Sequence, residues 1–363
     1  MKIGILTFHC AANYGAVLQA YGLQETLRRL GHEAYIIDYR PGYLISPYKS
    51  WSHQAAPTTI GTLKNFMRAT SVYNIRKARN KQFSTFVKQN LRLLPLTKLK
   101  DMDAIIVGSD QIWNPFITGG KFDEYYTLKR VDSSQLKIAY AASAGDVITF
   151  KRKFDNGIID ALNKFDAISV REKSLGDFLQ QNGINVESVV LDPVLLSDTS
   201  VFDALTDKSL TPQEPYLLYF TLIHSKKLSA FAKKLAKEKG LRFIECCSGD
   251  ESALAPRIIQ TASINKFLSL LKYSAFTVTS SFHGTAFSTL FNKDFISVAS
   301  NHQSGERAQS LLTALGISER LMLIDNIQSD LSPIDYEKVN SKLNEQKNRS
   351  RSYLTNAINP IRV

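Results

Sequence analysis

The chain has 363 residues, 44% hydrophobic and 21% charged, with a formal net charge of +12. That length and balance suit two globular α/β domains, and the lack of any run of about 18 apolar residues excludes a spanning helix. The start from Met1 to Phe8 turns polar too early for a signal peptide, and Cys10, Cys246 and Cys247 form no Cys-x-x-Cys pair, which argues against structural zinc or a disulfide framework and fits a reducing cytoplasm.

In chain order, apolar strands are expected at Ile3–Phe8, Ala34–Asp38, Ala104–Gly108, Lys137–Ala142, Ala167–Val170 and Ser188–Leu191. Helical patterns separate most of them: Gly15–Leu30, stopped by Gly31, then Asp155–Phe165 and Ser174–Asn182. Continuous apolar strands alternating with helices predict a parallel sheet covered on both faces. Between the first strand and helix lies His9-Cys10-Ala11-Ala12-Asn13-Tyr14-Gly15, a small-residue turn at a helix start, where backbone amides can approach an anion. Asn13, Tyr14 and Gln19 are its candidate contacts on the cleft side. The turn is not Gly-x-Gly-x-x-Gly, so Asp38, at the place of a ribose-binding acid, reads as structural.

Residues 40–100 form a basic insertion. No Asp or Glu lies between Tyr39 and Lys100, while Arg40, Lys49, Lys64, Arg68, Arg76, Lys77, Arg79, Lys81, Lys88, Arg92, Lys98 and Lys100 do. Those twelve carry the whole net charge, because the other 33 basic residues match the 33 acidic ones. A field confined to one segment points to a polyanionic partner, or equally to a solvated helical face. Within it, Leu63–Leu94 reads as one or two helices with Phe66, Met67, Tyr73, Phe83, Phe86, Val87 and Leu91 at helical spacing. That stripe is expected to pack on its own domain, leaving the charges for a membrane surface.

The strand Ala104–Gly108 runs into Gly108-Ser109-Asp110-Gln111-Ile112-Trp113. In this turn Ser109 is a ligand contact, Asp110 a base and Trp113 a platform for a sugar face, or else Ser109 or Asp110 simply caps a turn. Small residues follow the next strand at Tyr140–Gly145. Arg171 ends the strand Ala167–Val170, which aims its guanidinium either into a cleft, for bidentate binding of carboxylate or phosphate, or at a neighbouring carboxylate.

The polar stretch Ser197–Pro215 reads as an interdomain connection, and the alternation then restarts. Strands are expected at Tyr216–Thr221, Arg242–Cys246, Phe276–Thr279, Phe295–Ala299 and Leu321–Ile324. Helices are expected at Lys226–Lys239, Ile264–Tyr273, Gly284–Phe291 and Arg307–Leu315, with a last helix at Ile334–Ala357. The sharpest local signal is Thr279-Ser280-Ser281-Phe282-His283-Gly284. Here Ser280, Ser281 and the amides near Gly284 would hold an anion at a helix start, and His283 beside it is a general-acid candidate. Arg307, read as lying in a first helical turn, disfavours the helix dipole and so calls for an anionic partner, a ligand or Glu306. The halves span 1–200 and 201–330, with 331–363 as a terminal helix packing back on the first. Ligands are expected at the carboxyl ends of the strands, in the cleft.

Taken together, Asn13-Tyr14-Gly15-Ala16-Val17-Leu18-Gln19-Ala20, Gly108-Ser109-Asp110-Gln111-Ile112-Trp113, Tyr140-Ala141-Ala142-Ser143-Ala144-Gly145, Ser169-Val170-Arg171-Glu172, Leu191-Asp192-Pro193-Val194 and Ser281-Phe282-His283-Gly284 resemble the polysaccharide pyruvyltransferase family. The resemblance implies two Rossmann-like domains facing a cleft, similar to the two-domain (GT-B type) glycosyltransferases. It implies transfer of the enolpyruvyl group of phosphoenolpyruvate to a sugar as a ketal, with Arg171 on the donor and His283 as the acid. Many members carry Arg where this chain has Ser281, and Arg307 is the expected substitute. No cofactor or metal is expected. The acceptor is a cell-surface polysaccharide sugar or its polyprenyl-pyrophosphate-linked precursor, at the inner face of the membrane. A nucleotide-sugar glycosyltransferase of the same architecture is the enzymatic alternative. A nucleic-acid-binding protein is the alternative of another class, disfavoured by the neutral remainder of the chain and the lack of a binding motif.

Overall fold

The computed structural model describes residues 1–50, 62–249 and 258–360, with only the helical backbone at 62–69. The expected packing of Phe66 and Met67 and the charges of Lys64 and Arg68 lie outside the described residues.

The first half is a parallel sheet of seven strands: β1 (Lys2–Leu6), β2 (Glu33–Asp38), β3 (Leu93–Pro95), β4 (Ala104–Gly108), β5 (Leu136–Ala142), β6 (Ala167–Val170) and β7 (Ser188–Val189), in spatial order 3-2-1-4-5-6-7. The second half is a parallel sheet of six: β8 (Tyr216–Thr221), β9 (Arg242–Cys247), β10 (Ile258–Ile259), β11 (Phe276–Thr279), β12 (Asp294–Ala299) and β13 (Leu321–Leu323), in order 10-9-8-11-12-13. Each begins with the 3-2-1-4-5-6 order of a doubly wound fold, whose ligand crevice lies outside the strands' carboxyl ends where the order reverses. The strands are apolar because both faces are covered: Ile3, Ile5, Ile105, Ile106, Leu217 and Leu218 have no exposed surface.

Helices α1 (Tyr14–Arg29), α2 (Thr62–Asn90), α3 (Val147–Lys151), α4 (Asn156–Leu162), α5 (Lys173–Gln181) and α6 (Pro193–Leu196) belong to the first half. Helices α7 (Lys226–Glu238), α8 (Ile264–Lys272), α9 (Phe282–Leu290) and α10 (His302–Leu315) belong to the second. The last helix, α11 (Tyr336–Ile358), returns to the first sheet, where Ser350 Oγ accepts from Leu191 N at 3.0 Å and Tyr353 OH donates to Ala139 O at 2.8 Å.

Three expectations change. Helix α2 ends at Asn90, and Leu93–Pro95 is an edge strand beside β2, a position that tolerates Pro95. The Ser197–Pro215 connection is not a bare linker: Val201, Phe202 and Leu205 are buried, and Phe202 meets Phe287 edge-on at 5.1 Å. Helix α10 starts at His302 through a capping box between Asn301 and Ser304, so Arg307 sits in its second turn and the dipole argument for an anionic partner falls away.

One apolar cluster runs through both halves and includes Tyr14, Phe83, Phe86, Phe202, Phe220, Phe267 and Phe287. Phe83, Phe86, Val87 and Leu91 of the basic segment are buried in it. Lys77, Lys81 and Lys88 stay exposed on α2, at spacings of four and seven that place them on one stripe.

Candidate active site

The site is built where strand ends of the two halves meet. From the first half come Ser109 and Asp110 after β4, Ser143 after β5, Arg171 and Glu172 after β6, and Asp192 at the N-cap of α6. From the second come Phe282 and His283 in the first turn of α9 and Arg307 on α10.

Arg171 N–H donates to Ala142 O at 3.0 Å, which carries the ladder one residue past β6 and fixes the direction of its side chain. The side chain is 3% exposed. Its Nη1 donates to Asp192 Oδ2 at 2.8 Å and its Nε lies 3.6 Å from Glu172 Oε2, beyond hydrogen-bond reach. Both Nε and Nη2 are buried without a hydrogen-bond partner. Burial opposes the charge, but Asp192, Glu172 and Asp110 outweigh it and raise the Arg171 pKa above its ordinary value. The guanidinium carbon stands 4.7 Å from the centre of the Phe282 ring, and that of Arg307 stands 5.7 Å from the same ring. Two cations thus share one aromatic face system. Arg307 makes no ion pair or hydrogen bond with the described residues, and burial followed by the like charge of Arg171 lowers its pKa.

Asp192 ties the cluster together. It is 1% exposed. Oδ1 accepts from Val194 N at 3.0 Å, while Oδ2 accepts from Arg171 Nη1 at 2.8 Å and lies 3.1 Å from Ser109 Oγ. His283 Nε2 faces the same Oδ2 at 3.7 Å and is itself buried without a hydrogen-bond partner. Burial would raise the Asp192 pKa, but His283, Arg171 and the Val194 N–H overrule it and hold the carboxyl well below the usual carboxylate range. Glu172 is likewise committed: Oε1 accepts from Ser143 Oγ at 2.6 Å and from the Ala144 and Gly145 amides at 3.1 and 3.3 Å.

Asp110 is 7% exposed, with Oδ1 accepting from Gln111 N at 2.9 Å and a left-handed φ of 74°. Such a conformation in a residue other than glycine costs energy and concentrates at functional sites. Its carboxylate acts on both Arg171 and Arg307, which places it in the same cluster.

The structure brings Arg171, His283, Arg307 and Asp110 together and sets other candidates aside. Trp113 has no exposed surface, donates Nε1 to Tyr126 O at 3.0 Å and meets Phe165 edge-on, so it is a core residue and not a sugar platform. Tyr14 is 1% exposed, stacks on Phe267 at 4.0 Å and donates to Ala262 O at 2.8 Å, joining the halves instead of touching a ligand. Gln19 is buried and donates Nε2 to Thr7 Oγ1 at 2.7 Å, and Thr7 in turn donates to Ser109 O at 3.0 Å. Gln19 therefore braces the Ser109 turn from behind. Ser109 itself has no exposed surface and spends its hydroxyl within the protein. Gly284 packs on Thr279 and Phe220, where a side chain would overlap, so its role is close packing. Ser281 caps α9, its Oγ 3.4 Å from Gly284 N. Ser280 is exposed, with its hydroxyl 2.7 Å from Thr221 Oγ1. Asn13 caps α1 through Oδ1, at 2.9 Å from Gly15 N. Asp38 pairs with His9 Nε2 at 2.9 Å and Arg40 Nε at 2.6 Å, a structural role as expected.

Asp192, Glu172 and Phe282 stood in quoted motifs but were given no role of their own from the sequence. Asp192-Pro193 reads locally as an N-cap followed by proline at the first helical position, and nothing local places it beside His283.

Two doubly wound halves with a pair of guanidinia at the strand ends between them define a two-domain α/β protein of the GT-B type. The polysaccharide pyruvyl transferase profile matches residues 13–302. The chain belongs to the polysaccharide pyruvyl transferase family, a family of transferases. No curated protein matches it. Among solved structures, the chain is similar to the MnaA–UDP co-structure of S. aureus, at 13% identity and a TM-score of 0.48, covering 97% of this chain and 89% of that one. It is similar to the UDP-GlcNAc 2-epimerase of Neisseria meningitidis bound to UDP-GlcNAc, at 10% identity and 0.47, covering 98% and 94%. It is also similar to the E. coli heptosyltransferase WaaC with ADP-2-deoxy-2-fluoro heptose, at 12% identity and 0.39, covering 95% and 99%.

Proposed function

We propose that the protein transfers the enolpyruvyl group of phosphoenolpyruvate to a sugar of a cell-surface polysaccharide or its lipid-linked precursor, forming a pyruvate ketal and releasing phosphate. The observation that carries this reading is the pair Arg171 and Arg307 on the Phe282 ring, with unspent N–H donors on Arg171 and His283 adjacent. Phosphoenolpyruvate carries a carboxylate and a phosphate, and two guanidinia are suited to the two anions. Arg307 supplies the cation that many family members carry at the position of Ser281, and it does so from above Phe282, the neighbour of Ser281 in the chain.

In this scheme His283 gives a proton to the methylene carbon of the enol, and the adjacent carbon takes on oxocarbenium character. A sugar hydroxyl adds there as Asp110 takes up its proton. The bond to phosphate then breaks with its electron pair, and a second hydroxyl closes the ketal. Of the two hydroxyl protons, one is accounted for in the new methyl group and the other on phosphate, so the balance requires no further reactant and the scheme uses no cofactor. Acid catalysis of this kind is worth roughly 100- to 10,000-fold. Asp192 Oδ2 faces His283 Nε2 at 3.7 Å and so fixes which side of the ring is turned toward the first half.

The acceptor is presented on a polyprenyl pyrophosphate at the cytoplasmic face of the membrane, with the exposed lysines of α2 toward the anionic surface. No described helix is long and apolar enough to cross a membrane. Two measurements test the donor reading. Phosphoenolpyruvate, and not a nucleotide sugar, raises the melting temperature; stabilisation by nucleotide sugars alone overturns the reading. His283→Ala abolishes phosphate release with its fold intact, and near-normal turnover removes His283 from the chemistry.

A further inference from the structure

A second crevice lies between the halves, beside the cation cluster but of opposite character. It has a volume of about 380 Å³ and is walled by Asp146, Val147 and Ile148 at the start of α3 and by Asn301, His302 and Glu306 on and before α10, with β13 as its floor. That volume lies in the range of small-molecule sites. It adjoins the donor site through two direct links. Glu306 and Arg307 are consecutive on α10, and Asp146 follows the Ser143–Gly145 turn that holds Glu172 beside Arg171.

Its chemistry differs from that of the donor site. Among the residues lining it there is no Lys or Arg; Asp146 and Glu306 are its carboxylates. Asp146 is spent on capping α3, accepting from Ile148 N at 3.0 Å and from Thr149 Oγ1 at 2.5 Å. His302 and Gln303 are exposed and make no hydrogen bond with the described residues. Facing these polar groups are Val147, Ile148, Ala299, Leu321 and Leu323. A carboxylate-lined crevice repels phosphates and accepts hydrogen bonds from hydroxyls, while an apolar wall covers carbon-bound hydrogens. Burial raises the pKa of Glu306; a hydrogen bond from Ser174 works against the rise, and the neighbouring carboxyls of Glu172 and Asp146 add to it. A carboxyl so placed offers a hydroxyl two acceptor oxygens when ionised and an O–H donor as well when protonated.

We infer that this crevice receives the acceptor as a neutral pyranose, with Glu306, His302 and Gln303 binding its hydroxyls and the wall of β13 and α3 covering its apolar face. The two sites are sorted by charge, the trianionic donor on the arginines and the uncharged sugar on the carboxylates. This inference rests on the proposed function in calling the ligand an acceptor, but it can fail separately.

The test is saturation-transfer NMR on the full chain with methyl glycosides of glucose, galactose and mannose and with N-acetylmannosamine and N-acetylglucosamine, each with and without phosphoenolpyruvate. At least one sugar shows transfer, and Glu306→Gln or Gln309→Trp, which fills the crevice from an exposed helix position, reduces it at least fivefold. Both variants keep stabilisation by phosphoenolpyruvate, which shows that they fold. Absence of transfer from every sugar overturns the inference, as does transfer that survives both variants, or binding of UDP that both variants abolish. If sugar binding fails while stabilisation by phosphoenolpyruvate persists, only the crevice assignment is lost. If stabilisation is absent while sugar transfer persists, the donor reading is lost instead.

Discussion

Gly15 of the first half lies directly against the imidazole of His283 in the second, so close that a Cβ at position 15 would overlap the ring at Nδ1, Cγ and Cε1. The imidazole and the helix start that confronts it come from opposite halves, and the absence of a side chain at Gly15 on α1 sets where the ring can stand.

Gly15→Ala is therefore expected to displace His283. Initial phosphate release from phosphoenolpyruvate falls by at least about 100-fold, the lower bound for losing a positioned acid. The melting temperature changes little if the ring swings aside, and a crystal structure of the variant shows the new rotamer. Unchanged turnover would mean that the ring position is not what matters.

Arg307→Ala separates binding from folding. The side chain is half-buried, stacks on Phe282 and makes no ion pair or hydrogen bond with the described residues, so stability changes little. A hydrogen bond to a charged group contributes about 1.5–3 kcal/mol. The dissociation constant for phosphoenolpyruvate then rises roughly 10- to 150-fold, measurable by calorimetric titration.

Asp192 makes stability depend on pH in a defined direction. Its carboxyl is held well below the usual range despite burial, by His283, Arg171 and the Val194 N–H. Its contribution is thus fully present above the ordinary carboxylate value of about 4 and is lost as the pH falls below that toward the folded value. Urea midpoints between pH 7 and pH 3 should fall on the acid side in the wild type. Asp192→Asn lowers the midpoint at neutral pH, because it leaves Arg171 short of a partner, and flattens the acid limb.

The exposed row Lys77, Lys81 and Lys88 predicts salt-sensitive binding to vesicles containing anionic lipid, at about 1 kcal/mol for each lysine near the surface. Sedimentation at low and high salt, with a triple Lys→Gln variant as control, measures it. Binding unaffected by salt or by the variant rules this surface out.

The sheets were legible because strands covered on both faces must be apolar from end to end. Tyr216–Thr221 and Phe276–Thr279 are found at their expected bounds. Arg171 and His283 were legible because a polar side chain at the end of an apolar strand has few places to go in a doubly wound fold. Trp113, Tyr14 and Gln19 misled, since each carries a polar tip that suits either a ligand or a buried carbonyl, and the choice depends on what stands opposite. For Tyr14 that is Ala262 in the other half. Asp192 stayed hidden for the reverse reason: its local pattern is fully explained by a short helix, while its partners Arg171, Ser109 and His283 come from three distant stretches.

Helix α11 runs back to the first sheet after the second is complete, so the polypeptide passes from one half to the other and home again. Two covalent connections side by side make a door with two hinges, not a tethered lid. Two crossings leave the halves fewer relative movements than a single one would, so cutting either connection is expected to widen that freedom.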